Sequence, residues 1–205
     1  MGSAVMSETV IPYTADERPD TGFDNVHLGL WLFLASEVML FGALLSGYIL
    51  LRFGSAEWPR GADYGLSVSL ATVNTLILLV SSVTIVLARK ALERGALERF
   101  RLHMGVTILA GLGFLAIKGF EYWSKFDQQL YPSTDNFLAL YFTLTGIHVL
   151  HVVGGLAVHG YLWGPGLALW HARPRQCVNR VAAAGLYWHF VDLVWIVLFV
   201  VFYWL

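Results

Sequence analysis

The chain has 205 residues, of which 57% are hydrophobic and only 13% charged, with a net charge of −1. A soluble domain carries about 25% charged residues, so this composition points to an integral membrane protein, and its near-neutral charge offers no basic surface to nucleic acid. One cysteine, Cys177, excludes a disulfide framework and cysteine-rich zinc or iron–sulfur sites.

Residues 1–26 are polar and acidic, with Glu8, Asp16, Glu17, Asp20 and Asp24. They lack the basic start and short apolar core of a cleaved signal peptide. Anchoring is therefore expected from the helices that follow. Five apolar segments come next, at roughly 27–51, 66–88, 102–123, 138–160 and 185–205. Each is long enough to cross a hydrocarbon core, which takes about 20 apolar residues. The expected fold is all-α, a single membrane domain of five transmembrane helices over 27–205.

The connections carry the turn and charge signals. Trp58, Pro59 and Gly61 mark a turn before segment two, and the charged run RKALERGALERFR separates segments two and three. Pro165, Gly166 and Pro174 interrupt any continuous helix between segments four and five. With alternating spans, nine basic residues fall on the N-terminal side (Arg18, Arg89, Lys90, Arg94, Arg99, Arg101, Arg173, Arg175, Arg180) against three opposite (Arg52, Arg60, Lys125). The positive-inside rule then places the N-terminus in the cytoplasm and the C-terminus outside. Trp123, Trp163, Tyr203 and Trp204 near segment ends fit aromatic belts.

Polar residues inside the spans are the candidates for function, because each is expensive in lipid and must face protein or water. Glu37 lies about ten residues into segment one, ~15 Å along the helix and close to mid-depth. It is either a proton relay or channel lining, or a packing hydrogen bond between helices. Asn74 and Thr75 in segment two are expected to bond across helices. Lys118 and Glu121, at i and i+3 in segment three, are expected to pair near the outer interface with the lysine snorkelling.

Segment four carries His148, His151 and His159. At roughly 100° per residue these fall on one face, with Gly154 and Gly155 allowing a neighbouring backbone close. His148 and His151 lie near mid-depth opposite Glu37, and His159 closer to the cytoplasm. Metal or haem ligation needs matched ligands on several helices, and the other candidates are only Glu37, His189 and Asp192. Hydrogen bonding to neighbouring helices or lipid headgroups is the expected role. In segment five, His189 and Asp192 share a face at i and i+3, within the cytoplasmic third. They are either a proton-handling pair or a mutually satisfied packing pair.

Taken together the segments resemble subunit III of the haem–copper terminal oxidases. The resemblance is spread over HLGLWLFLASEVMLF at 27–41, VNTLILL at 73–79, IKGFEYW at 117–123, FTLTGIHVLHVVGG at 142–155 and YWHFVDLVWIVLFVVFYW at 187–204. The last two are the most specific, by the order and spacing of T-G-x-H-x-x-H and Y-W-H-F-V-D.

The resemblance implies a helical subunit without redox centres, itself not catalytic, packed against a subunit I that holds haem and copper, reduces oxygen to water and pumps protons. It implies support of subunit I stability and proton uptake, association with subunit II, and phospholipid bound in the bundle. Glu37, His148, His151, His189 and Asp192 match polar positions of the family, none of them catalytic. The mitochondrial form has seven helices. A five-helix form looks bacterial, which implies the cytoplasmic membrane, and the two missing helices are expected from a partner. ASEVMLFG around Glu37 favours the cytochrome c branch. A quinol oxidase or a nitric-oxide-reductase-associated relative is the alternative, and a standalone transporter or channel a third reading, against which stands the lack of an inverted repeat.

Overall fold

The computed structural model describes residues 24–205. The expected polar segment 1–26 therefore lies outside the described residues except for its last three. Five helices are long and apolar enough to cross a membrane, and no strand occurs among the described residues.

Helix α1 spans Asn25–Gly54, α2 Val68–Glu93, α3 Leu97–Asp127 and α4 Asn136–Trp163. A short turn, α5, covers Leu169–Ala172, and α6 spans Pro174–Phe199 before passing into a π-helical turn at Val200–Trp204. The last span thus begins at Pro174 rather than near 185. Pro174 causes this: its missing N–H is no loss at the first helical position, and its fixed φ starts the helix.

Each helix start satisfies its free N–H groups where the sequence supplies an acceptor. Asp24 accepts from the backbone of Val26 and His27 at 2.9 Å. Ser67 caps α2 through Leu70, and Asp135 caps α4 through Leu138 at 2.8 Å. The charged run between segments two and three is almost wholly helical. Gly95, at φ 70, turns the chain, with its N–H on Leu92 O and that of Ala96 on Ala91 O. That pair of bonds is the Schellman stop, which needs a left-handed residue after the helix.

The buried positions explain the packing. In α2 they fall at Ala71, Asn74, Leu78, Ser81, Ile85, Ala88 and Leu92, alternating steps of three and four, with Ala91 buried beside the last. In α3 they run Phe100, Met104, Thr107, Gly111, Phe114, Lys118, Glu121 and Lys125 on the same rhythm. Both are heptad seams, so the two helices pack as an antiparallel, coiled-coil-like hairpin. Helix α6 touches α1, α2 and α4, and α3 touches α2 and α4. The core is thus a four-helix arrangement of α2, α3, α4 and α6.

Helix α1 leans against α4 and α6 and buries only Leu34, Phe41 and Tyr48, one residue per seven. Most of its surface, including Leu32, Val38, Met39, Leu50 and Phe53, is exposed and apolar.

Close approach on α4 occurs at Gly155, and what approaches is a side chain. A β-carbon there would lie 2.8 Å from two atoms of the Trp188 indole. Across the indole, a β-carbon at Gly111 of α3 would stand 3.0 Å from the ring and 2.7 Å from Leu156. Gly154 meets only the Tyr187 hydroxyl, at 3.8 Å. The neighbouring backbone expected at the glycine pair is thus replaced by aromatic side chains, the Trp188 indole and, 3.2 Å from the Gly155 position, the Tyr187 ring.

Candidate functional site: three intramembrane polar clusters

The polar side chains singled out in the sequence form three separate clusters, each joining different helices. In the first, Lys118 and Glu121 of α3 are 1% and 5% exposed, so the lysine does not snorkel. Its Nζ donates to the hydroxyls of Tyr141 (3.0 Å) and Tyr203 (2.9 Å). Both hydroxyls donate in turn to Glu121 Oε1, at 2.7 and 2.5 Å. Lys118 Nζ lies 3.4 Å from Glu121 Oε2.

Tyr122, Tyr141, Trp195 and Tyr203 surround the ammonium group, with ring centroids 5.0–5.6 Å away. Lysine turns inward here because the two tyrosines and the glutamate supply acceptors and negative ring faces that lipid headgroups would otherwise supply. The π-helical turn matters locally: it carries Phe202 and Tyr203, both buried, into the core.

The second cluster centres on Ser82 of α2. Its hydroxyl lies 2.9 Å from His189 Nδ1 and donates a very short bond to Asp192 Oδ2. His189 and Asp192 therefore do not bond to each other; a serine from another helix bridges them. In the helix itself the pair lies near the middle of the stretch Pro174–Trp204.

The third cluster joins α1 to α4. His151 Nε2 is 2.8 Å from Glu37 Oε2, and His151 Nδ1 is 2.8 Å from Ile147 O. A carbonyl only accepts, so Nδ1 carries a proton and one further proton is shared between Nε2 and the glutamate. Tyr187 donates to His151 O at 3.0 Å and ties α6 to the same point.

The expected single histidine stripe is divided. Only His151 reaches Glu37. His148 turns into the core, stacked 5.4 Å from Trp195 and edge-on to Phe114. His159 packs edge-on against Trp188 at 4.8 Å. Both are fully buried, with neither ring nitrogen hydrogen-bonded among the described residues. Thr75 does bond across helices, accepting from Trp195 Nε1 at 3.0 Å. Asn74, expected to do the same, is buried with no partner for its amide among the described residues. No group of three or more His, Cys, Asp or Glu is placed to hold a metal among the described residues.

One end of the bundle is pinned where Lys125, in the last turn of α3, meets Tyr64 of the connection between α1 and α2. Lys125 donates to the carbonyls of Tyr64 (2.7 Å) and Gly65 (2.9 Å), and the Tyr64 hydroxyl bonds to Asp135. Burial, and then that carboxylate, push the Tyr64 hydroxyl up to about 12. At the other end Asp24 also accepts from Asn179 at 2.9 Å and His27 Nδ1 at 2.8 Å. Burial works to raise this carboxyl, but the bonds and charge from His27 leave it below its ordinary value. The Ser82 and Tyr64 tethers are not visible in the sequence, because both are individually unremarkable residue types. Tyr203, expected in an aromatic belt, turns into the core instead.

A membrane bundle whose internal polar groups tie helix to helix defines the class. The family model for cytochrome c oxidase subunit III matches residues 16–205, and the chain belongs to that family. It is 32% identical to cytochrome c oxidase subunit 3 of Alkalihalophilus pseudofirmus, over 99% of this chain and 97% of that one. Identity to the cytochrome bo(3) ubiquinol oxidase subunit 3 of Pseudomonas aeruginosa is also 32%, over 99% and 98%. A third relative, the haem–copper oxidase subunit I+III of Aeropyrum pernix, is 30% identical over 88% of this chain and 23% of its own length. The protein is thus a subunit III of the haem–copper oxidases.

Proposed function

We propose that this chain is the non-catalytic subunit III of an aerobic respiratory oxidase of the cytochrome c type, packing directly on subunit I. In this reading it supports the stability and proton uptake of subunit I while oxygen is reduced to water. Haem and copper are held by partner subunits. The observation that carries the reading is the use of the intramembrane polar groups: Glu37–His151, Lys118–Glu121–Tyr141–Tyr203 and Ser82–His189–Asp192 all join helices to one another. Such ties shape a scaffold.

The thin seam of α1 leaves an apolar flank for a neighbouring subunit, and the fused subunit I+III relative supports a direct contact. We place the protein in a bacterial cytoplasmic membrane as a multi-pass subunit, N-terminus inside, from the basic residues at 89–101 and 173–180. A groove of about 650 Å³ between α1, α4 and α6, lined by Leu30, Phe33, Val158, Tyr161, Arg180 and Tyr187, suits phospholipid chains.

The quinol oxidase version is the second reading, favoured by a bo(3) relative that matches as fully as the cytochrome c oxidase one. Gentle solubilisation, pull-down of this chain, reduced-minus-oxidised spectra and identification of the co-purifying subunits test both. A haem-containing subunit I with a copper-bearing subunit II is expected. A subunit II without that copper selects the quinol version, and a colourless chain that purifies alone overturns the oxidase reading.

A further inference from the structure

We propose that Asp192, Ser82 and His189 form a proton-exchange relay that connects a buried carboxyl group of the bundle core to the groove between α2 and α6. Asp192 is 4% exposed, and its Oδ1 has no hydrogen-bond partner among the described residues. Its Oδ2 takes the Ser82 hydroxyl. On its far side, Ser82 Oγ meets His189 Nδ1 at 2.9 Å. His189 in turn lines a cavity of about 160 Å³ together with Ile85, Arg89, Val181 and Gly185. A water needs about 10–15 Å³ of such space and two to four polar partners; the volume suffices, and His189 and Arg89 are the polar side chains of the lining.

The three groups form one unbroken chain from a buried oxygen to that cavity. A serine hydroxyl has one proton and two lone pairs, so it donates to one neighbour while accepting from the other. With Asp192 protonated, the chain reads Asp192 O–H to Ser82 Oγ, Ser82 O–H to His189 Nδ1, with the histidine proton on Nε2. Release breaks the Asp192 O–H bond as its proton passes to Ser82 and the Ser82 proton passes to His189 Nδ1. The Nε2 proton then leaves to water in the groove. The products are an Asp192 carboxylate, an intact Ser82, a neutral His189 in its Nδ1–H form, and one hydrated proton. No electron changes hands, and uptake reverses each step.

The other charged and titratable groups around the relay are held elsewhere. From α2, Arg89 lines the cavity and pairs with Glu93 at 2.8 Å. From α3, Lys118 faces Trp195 and pairs with Glu121. From α4, His148 and His159 lie against Trp195 and Trp188, and on α1 Glu37 is taken by His151. His189 is thus the titratable group that bonds directly to the Ser82 bridge besides Asp192 itself.

Infrared spectroscopy of the intact membrane complex tests the relay. Exchange from H₂O into D₂O shifts the stretch of a protonated carboxyl group, and the band lost in Asp192→Asn identifies Asp192. In the parent this band should shift promptly. In Ser82→Ala and His189→Phe it should persist but shift on the order of a hundredfold more slowly, the scale of a lost proton-transfer group. Ser82→Thr, which keeps the hydroxyl, should restore the rate. If His189→Phe does not assemble, Ser82→Ala with its threonine rescue carries the test. Exchange as fast in Ser82→Ala as in the parent, or no carboxyl band lost in Asp192→Asn at any pH where the complex is intact, overturns the proposal.

Discussion

The indole of Trp188 fills the notch that Gly155 leaves on α4, where a β-carbon would lie 2.8 Å from two of its ring atoms. The same ring donates through Nε1 to Ser81 Oγ of α2 at 2.8 Å, so one side chain of α6 sets its distance to two neighbours.

Gly155→Ala should therefore force the indole out of place. Overpacking of this kind costs typically about 1–3 kcal/mol. A lowered midpoint in thermal unfolding of the purified complex is expected, and Gly119→Ala, where an added β-carbon meets nothing within 4 Å, serves as the neutral control.

Lys118 and Glu121 are predicted to be strongly coupled. Removing one member of a buried pair leaves the other charge uncompensated, at a cost of about 3–5 kcal/mol. Lys118→Met alone and Glu121→Gln alone should each destabilise on that scale, and the double variant by much less than their sum. A double-mutant cycle in denaturant reads the coupling directly. Additive losses would show that the four surrounding aromatic rings, rather than the ion pair, hold this core.

Glu37→Ala should act on α1. It removes the carboxylate that His151 binds at 2.8 Å, and α1 has only a three-residue buried seam besides. Easier loss of this subunit during detergent purification is expected, with haem and copper absorbance of the remaining complex unchanged. Altered absorbance in an intact Glu37→Ala complex would contradict the structural role.

The Tyr64 tether should be sensitive to alkali. Its hydroxyl ionises near 12 in the fold and near 10 in an unfolded chain. A raised folded value means that the stabilisation is complete below about pH 10 and is lost as pH rises toward 12. Tyr64→Phe, which cannot ionise, should flatten this part of the stability–pH curve; an unchanged slope would remove Tyr64 as its source.

Much of the architecture was legible in the chain itself. Length, hydropathy and turn residues mark five spans, and Glu37, Lys118, Glu121, His151, His189 and Asp192 stand out within them as polar groups in apolar surroundings, whereas their partners Ser82 and Tyr141 do not. Among the expectations that failed, two are instructive. Pro174 reads in the sequence as a break between segments four and five, yet it opens the last helix at its first position. Lys118 was placed at the lipid boundary because a lone lysine usually snorkels; Tyr141 and Tyr203 hold it inside.

What the sequence by itself determined is which face of each helix is polar, since helical periodicity is a local property of 3.6 residues per turn. What only the tertiary structure decided is which neighbour each polar group meets. His148 and His151 stand three residues apart, about 60° around the helix by the same periodicity, and that angle is enough to send one to Trp195 of α6 and the other to Glu37 of α1. Likewise nothing in α6 announces that Ser82 of α2 will stand between His189 and Asp192. Partners across helices depend on rotation and depth, which are set by how large side chains such as Trp188 fit against glycines on other segments.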